Sequence, residues 1–140
     1  MSDTIIAFIS GFIVACITSY LAHVFSKRRD RRKEFNQAAE NFIAAFQEAL
    51  SRLRYDSRTT IYDIITPELI KHEIAHSLFC HVLSDRDLDN FKMAWKDYFV
   101  HTPHPGDENK APEHHDSEWE EEQLLLIKKI ETLLEFAKLK

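Results

Sequence analysis

The sequence predicts an all-α chain, a single apolar helix followed by a small four-helix bundle, and three observations carry that expectation. Only two glycines and four prolines occur in 140 residues, too few for a turn-rich sandwich or barrel. Apolar side chains beyond residue 34 recur at spacings of three and four, the period of a helix with one buried face. The stretch from Thr4 to Ser26 holds no Asp, Glu, Lys or Arg. The glycines, Gly11 and Gly106, are too far apart to form a phosphate-cradling loop.

The first element is the apolar run 5–25. Its 21 residues would rise about 31 Å as a helix, close to the hydrocarbon thickness of a bilayer. A secretory leader would need a basic start and a small-residue cleavage site. Residues 1–4 carry only Asp3 as a charged side chain, and the run ends in a basic block instead. A transmembrane helix is therefore expected. Basic residues near a span stay on the cytoplasmic side, which puts residues 1–4 outside and the rest of the chain inside. The block itself, Lys27, Arg28, Arg29, Arg31, Arg32 and Lys33 within segment 26–34, is expected to lie on anionic lipid headgroups. No helix breaker interrupts 27–34, so the helix should run on into the next element. Ala7, Gly11, Ala15 and Ser19 repeat every four residues, a ladder that allows close helix–helix packing in lipid and points to a homo-oligomer.

The second element is an amphipathic helix from about Lys33 to Tyr55, with Phe35, Ala39, Phe42, Phe46, Ala49, Leu50 and Leu53 on one face. A connector, residues 56–66, follows, in which Ile61, Tyr62, Ile64 and Ile65 are apolar enough to pack onto the core as a short helical turn. Thr66–Pro67–Glu68 then reads as a helix start, a cap oxygen followed by a preset φ and an acid, for a helix to about Leu83. Ser84 caps the next helix, which shows Leu88, Phe91, Trp95, Tyr98 and Phe99. Residues 101–116 hold three of the four prolines and Gly106 and read as a flexible loop. Ser117 and Glu120 form a capping box for the last helix, whose stripe is Leu126, Ile130, Leu133, Leu134 and Ala137. Together, 35–140 is expected to be a cytosolic bundle.

Charge excludes one class of partner. Beyond Lys33, 12 basic residues face 21 acidic ones, a net charge of −9, and nucleic acid needs clustered Lys and Arg. The two cysteines, Cys16 and Cys80, sit in helical stretches and are read as small buried residues, not as a disulfide.

One motif carries chemistry. His72–Glu73–Ile74–Ala75–His76 places two histidines one helical turn apart with a carboxylate between them. Such a pair can share a zinc ion, and the Glu can take a proton from a metal-bound water. Over these five residues the chain resembles the zinc-dependent peptidases, which implies His72 and His76 as ligands and Glu73 as general base. The extension found in one branch would need Gly at 79 and His at 82, where this chain has Phe79 and Val82. Lys71 adds a positive charge beside the would-be cation site. The competing expectation has both histidines partly exposed on the bundle flank beside Leu69, Phe79 and Leu83, with no metal and no catalytic residue. His101, His104, His114 and His115 match no closed zinc spacing and are expected in a solvated loop. No Arg precedes a His at the gap of the helical ribonucleases, and neither G-x-S-x-G nor C-x-x-C occurs.

The Phe42, Phe46, Leu50, Leu53 row, His72–Glu73 with Ala75, the Phe91, Ala94–Trp95, Tyr98 group and the closing Leu133–Leu134, Phe136–Ala137 resemble a set of uncharacterised bacterial proteins. These have one N-terminal span and a small helical domain. The resemblance covers most of residues 35–139 and implies a bacterial inner-membrane location without an activity. Residues and resemblance together lead to the expectation of a non-enzymatic interaction or oligomerisation module, contacting membrane lipid, further copies of itself and a protein partner. The alternative is a membrane-tethered zinc hydrolase.

Overall fold

The computed structural model describes residues 2–56, 59–106 and 117–138, with side chains described in 12–56, 59–106 and 119–138. Every regular element among them is helical: α1 (Ser2–Tyr55), α2 (Ile61–Ile65), a 3₁₀ turn (Thr66–Glu68), α3 (Leu69–Cys80), α4 (Asp85–His101) and α5 (Ser117–Glu135). The chain divides into two units, Met1–Glu34 and Phe35–Lys140, and α1 supplies residues to both.

In the first unit α1 runs unbroken through the basic block, as the lack of a breaker requires. Thr18 satisfies its hydroxyl within the helix, donating to the Val14 carbonyl at 2.8 Å. Among the described residues, no helix is long and apolar enough to cross a membrane. The run expected to do so, 5–25, starts ahead of Phe12, where side chains lie outside the described residues. Cys16 is exposed in this unit, against the expectation of a buried thiol, because no side chain among the described residues packs over it.

The second unit has one core. Phe35, Ala39, Phe42, Phe46, Ala49, Leu50 and Leu53 of α1 are all buried, as their spacing predicts. Phe42 is central, stacked on Phe79 of α3 at 4.8 Å and edge-on to Phe91 of α4 at 5.5 Å. Pairs of this kind contribute about 0.5–1.5 kcal/mol each beyond area burial. Leu126, Ile130, Leu133 and Ala137 bring the last helix and the residues after it into the same core. Polar ties fix α5 further: Gln123 donates to the Leu53 carbonyl, Arg54 meets Glu131 at 2.5 Å, and Lys129 meets Asp97 at 2.5 Å.

Two local expectations need correction. The helix start expected at Thr66 lies six residues earlier, at Thr60, whose hydroxyl oxygen accepts from the Asp63 N–H at 3.1 Å. Ile61, Ile64 and Ile65 are buried, so this short element packs onto the core as expected. Pro67 lacks an N–H to give back along the helix, and the chain tightens there into the 3₁₀ turn before continuing as α3. The expected helix end at Leu83 falls back to Cys80, where the amides of His81 and Val82 reach only three residues back. Ser84 caps α4 as expected, accepting from the Asp87 N–H and donating to its carboxylate at 2.8 Å.

The expected flexible loop 101–116 begins as packed structure. His101 belongs to α4, Thr102 is buried and donates to the Phe99 carbonyl, and the His104 ring lies 4.6 Å from that of Phe99. Gly106 turns the chain at φ 99°, a conformation that favours glycine. His114 and His115 lie outside the described residues, as does the side chain of Ser117 in the expected capping box.

Candidate functional site

The HExxH residues lie on α3, and its helical period decides their fates separately. His72 faces inward. Its ring is fully buried and stacks on Phe46 at 4.0 Å, almost parallel at 9°. Nδ1 lies 2.8 Å from the Tyr98 hydroxyl of α4. A buried phenol must place its proton on an acceptor, so Tyr98 donates and Nδ1 accepts. The ring proton is then on Nε2, which reaches no partner at full hydrogen-bonding geometry, although the Ala45 backbone of α1 favours the protonated ring. Burial pushes His72 down to about 4, outweighing the opposite pull of Glu68. Burial also raises Tyr98. Neutral imidazole and neutral phenol are thus the stable pair, joining α3 to α4 through one buried hydrogen bond while Phe46 of α1 stacks on the imidazole.

His76, one turn on, lies half-buried on Trp95 at 4.1 Å and Phe91 at 5.3 Å. Burial lowers its affinity for a proton, and the positive charge of Lys92 adds to the effect. Its Nε2 is 3.5 Å from the Cys80 thiol, which burial pushes up. Sulfur and ring therefore stay neutral together, the opposite of an activated thiolate–imidazolium pair. Glu73 is exposed.

This arrangement does not fit zinc as the motif implies. One nitrogen of His72 accepts from Tyr98 and the other is enclosed by protein, while His76 is held by a different set of rings and by Cys80. Among the described residues no group of three or more His, Cys, Asp or Glu comes together to hold a metal ion. The expectation of partly exposed flank histidines holds for half-buried His76 and needs correction for His72. His72 is a core residue, because Phe46 and Tyr98 close over it. The residue missed was Tyr98, placed on the apolar face of its helix without its partner. A buried phenol needs an acceptor, and that requirement was the available signal.

The remaining candidate residues lie on α1. Lys27, Arg28, Arg29, Arg31, Arg32 and Lys33 are all exposed. At about 100° per residue they cover roughly two-thirds of the helix circumference, and Asp30 and Glu34 occupy the remainder. Such a spread makes a collar and not a one-sided stripe. Ahead of it, Phe12, Ile13, Val14, Ile17, Tyr20, Leu21 and Phe25 are all exposed, covering more than half the circumference. Ala15 and Ser19 of the small-residue ladder are exposed on one side of the same helix, and Ala7 and Gly11 belong to that helix with their exposure outside the described residues. No protein-family model matches the chain, nor does any curated protein or solved structure.

Proposed function

We propose that the chain is a single-pass membrane protein of the bacterial inner membrane, with residues 1–4 outside, 5–25 in lipid, 26–34 at the cytoplasmic headgroups and 35–140 as a cytosolic helical domain. It acts there as a non-enzymatic interaction or oligomerisation module, in contact with lipid, other copies of itself and a protein partner. The observation that supports this reading is the exposure of seven large apolar side chains between Phe12 and Phe25 directly ahead of a basic collar. Moving them from water into hydrocarbon is favourable by on the order of 10 kcal/mol. A helix apolar on most sides followed by positive charge on most sides suits a chain that passes through the headgroup layer, where each Lys or Arg near an anionic surface adds about 1 kcal/mol. A helix lying flat on the surface would instead carry its charge on one face. The acidic domain beyond disfavours nucleic acid as a partner.

The test is extraction from membranes. Full-length protein is expected to stay in the pellet in alkaline carbonate and to need detergent for release. A reporter fused at the C-terminus is expected to be active only in the form that works in the cytoplasm. Release by carbonate alone, or an externally active reporter, refutes the anchor or its orientation respectively.

A further inference from the structure

The outer face of α3 is apolar. Ile70, Ile74 and Leu78, spaced at four residues, are 71%, 57% and 59% exposed, while Leu69, His72 and Phe79 of the same helix are buried. Three large aliphatic side chains in one row, uncovered by the domain's own packing, make a seam about 12 Å long at 1.5 Å per residue. Scattered exposed apolar residues need no explanation, but a contiguous row does.

The edges of the row say what covers it. Lys71 borders one side, fixed by Glu68 at 2.9 Å and Glu48 at 3.9 Å, and exposed Glu73 borders the other. Flanking charges of opposite sign set the orientation in which such a seam can meet a copy of itself. If two copies of α3 ran antiparallel, Lys71 would meet Lys71 and Glu73 would meet Glu73. Running parallel about a two-fold axis, each Lys71 faces the other copy's Glu73 at nearly the same height. We propose that the Ile70–Ile74–Leu78 seam is where a second copy of this chain docks, α3 beside α3 in parallel, with the Lys71 and Glu73 edges crossing between copies. The inference deepens the self-association proposed above, and confinement in one membrane would raise the effective concentration of copies for it.

The experiment uses full-length protein in detergent micelles, its dimer dissociation constant read by sedimentation. Ile74→Glu is expected to weaken the dimer at least about tenfold, since it places a like-charged pair on the axis. It should leave melting of the bundle unchanged, because Ile74 is outside the core. Lys71→Glu should weaken it by a similar factor, and adding Glu73→Lys should restore wild-type affinity to within about threefold. A monomeric wild type, a dimer indifferent to Ile74→Glu, or no rescue by the double exchange overturns the proposal, whatever else binds the seam. A dimer lost with Gly11→Ile and kept with Ile74→Glu assigns association to the apolar helix and also overturns it. Carbonate release of a protein that still dimerises through Ile74 sinks the anchor alone and leaves the seam standing.

Discussion

Acidification is the perturbation whose effect on the bundle follows most directly from its geometry. A proton on His72 turns Nδ1 from acceptor to donor, facing the Tyr98 hydroxyl that was donating to it. It also creates a charge in a fully buried ring stacked on Phe46. Folding holds the group at about 4 against an ordinary 6.5, so the unfolded chain takes up this proton first. Stability from the neutral histidine is complete above about pH 6.5 and is lost as pH falls through the window down to about 4. At about 1.4 kcal/mol per pH decade the loss is about 3 kcal/mol, a large share of the 5–15 kcal/mol typical of a domain. Carboxylates also titrate near the lower end, so the assay compares two proteins. Urea unfolding followed by circular dichroism, in one detergent between about pH 7 and pH 4, is measured for wild type and His72→Leu. The variant is less stable at neutral pH, since it lacks the Tyr98 bond, but wild type should lose about 3 kcal/mol more across the window. Parallel losses would refute the assignment of a buried neutral imidazole.

Four further outcomes are expected. Tyr98→Phe leaves Nδ1 of His72 buried without a donor and should cost about 1–3 kcal/mol in urea unfolding, with strong non-additivity when combined with His72→Leu. Phe42→Ala removes the ring that meets Phe46, Phe79 and Phe91 and should cost about 3–5 kcal/mol by the same measurement. Ser84→Ala deletes the α4 cap and should lower stability by about 1 kcal/mol. Glu73→Gln, at an exposed position, should shift unfolding by no more than about 0.5 kcal/mol, and larger losses would mean the carboxylate has a partner in the fold.

Most of the architecture was legible because burial leaves a period in the residues. The α1 row from Phe35 to Leu53 and the α5 row from Leu126 to Ala137 each repeat at three and four, and every member but the half-buried Leu134 is buried. Ser84 was legible because a capping oxygen acts within three residues of itself. Thr66 misled for the same reason: a cap, a proline and an acid form a complete local signal, yet Ile61, Ile64 and Ile65 had already committed the chain to helix through core contacts that no local rule contains. His104 reads as a solvated loop residue from its neighbours in sequence, and its ring contact with Phe99 becomes visible only when the end of α4 is built. Tyr98 and His72 are 26 residues apart, and their bond depends on two helices presenting matching faces.

The HExxH stretch shows why a motif on a helix needs its surroundings before it means chemistry. Two histidines one turn apart share a face, and that is all a spacing of four provides. On a face that looks into a cleft with a third donor, the shared face becomes a metal site. On the inward face of an amphipathic helix, the same spacing delivers two flat rings to a core. In α3 that core is aromatic: Phe46 takes one ring and Trp95 the other, at 4.0 and 4.1 Å. Burial lowers the proton affinity of both rings, and a zinc ligand would be neutral as well. Position and not protonation therefore argues against the metal: Nδ1 of His72 is taken by Tyr98 and its Nε2 is enclosed. Glu73, the residue that would do the proton transfer, is the one the same helical period turns outward, to the edge of the exposed aliphatic seam. Helical period thus accounts for all three residues at once, His72 in the core, His76 half-buried at its border and Glu73 on the surface.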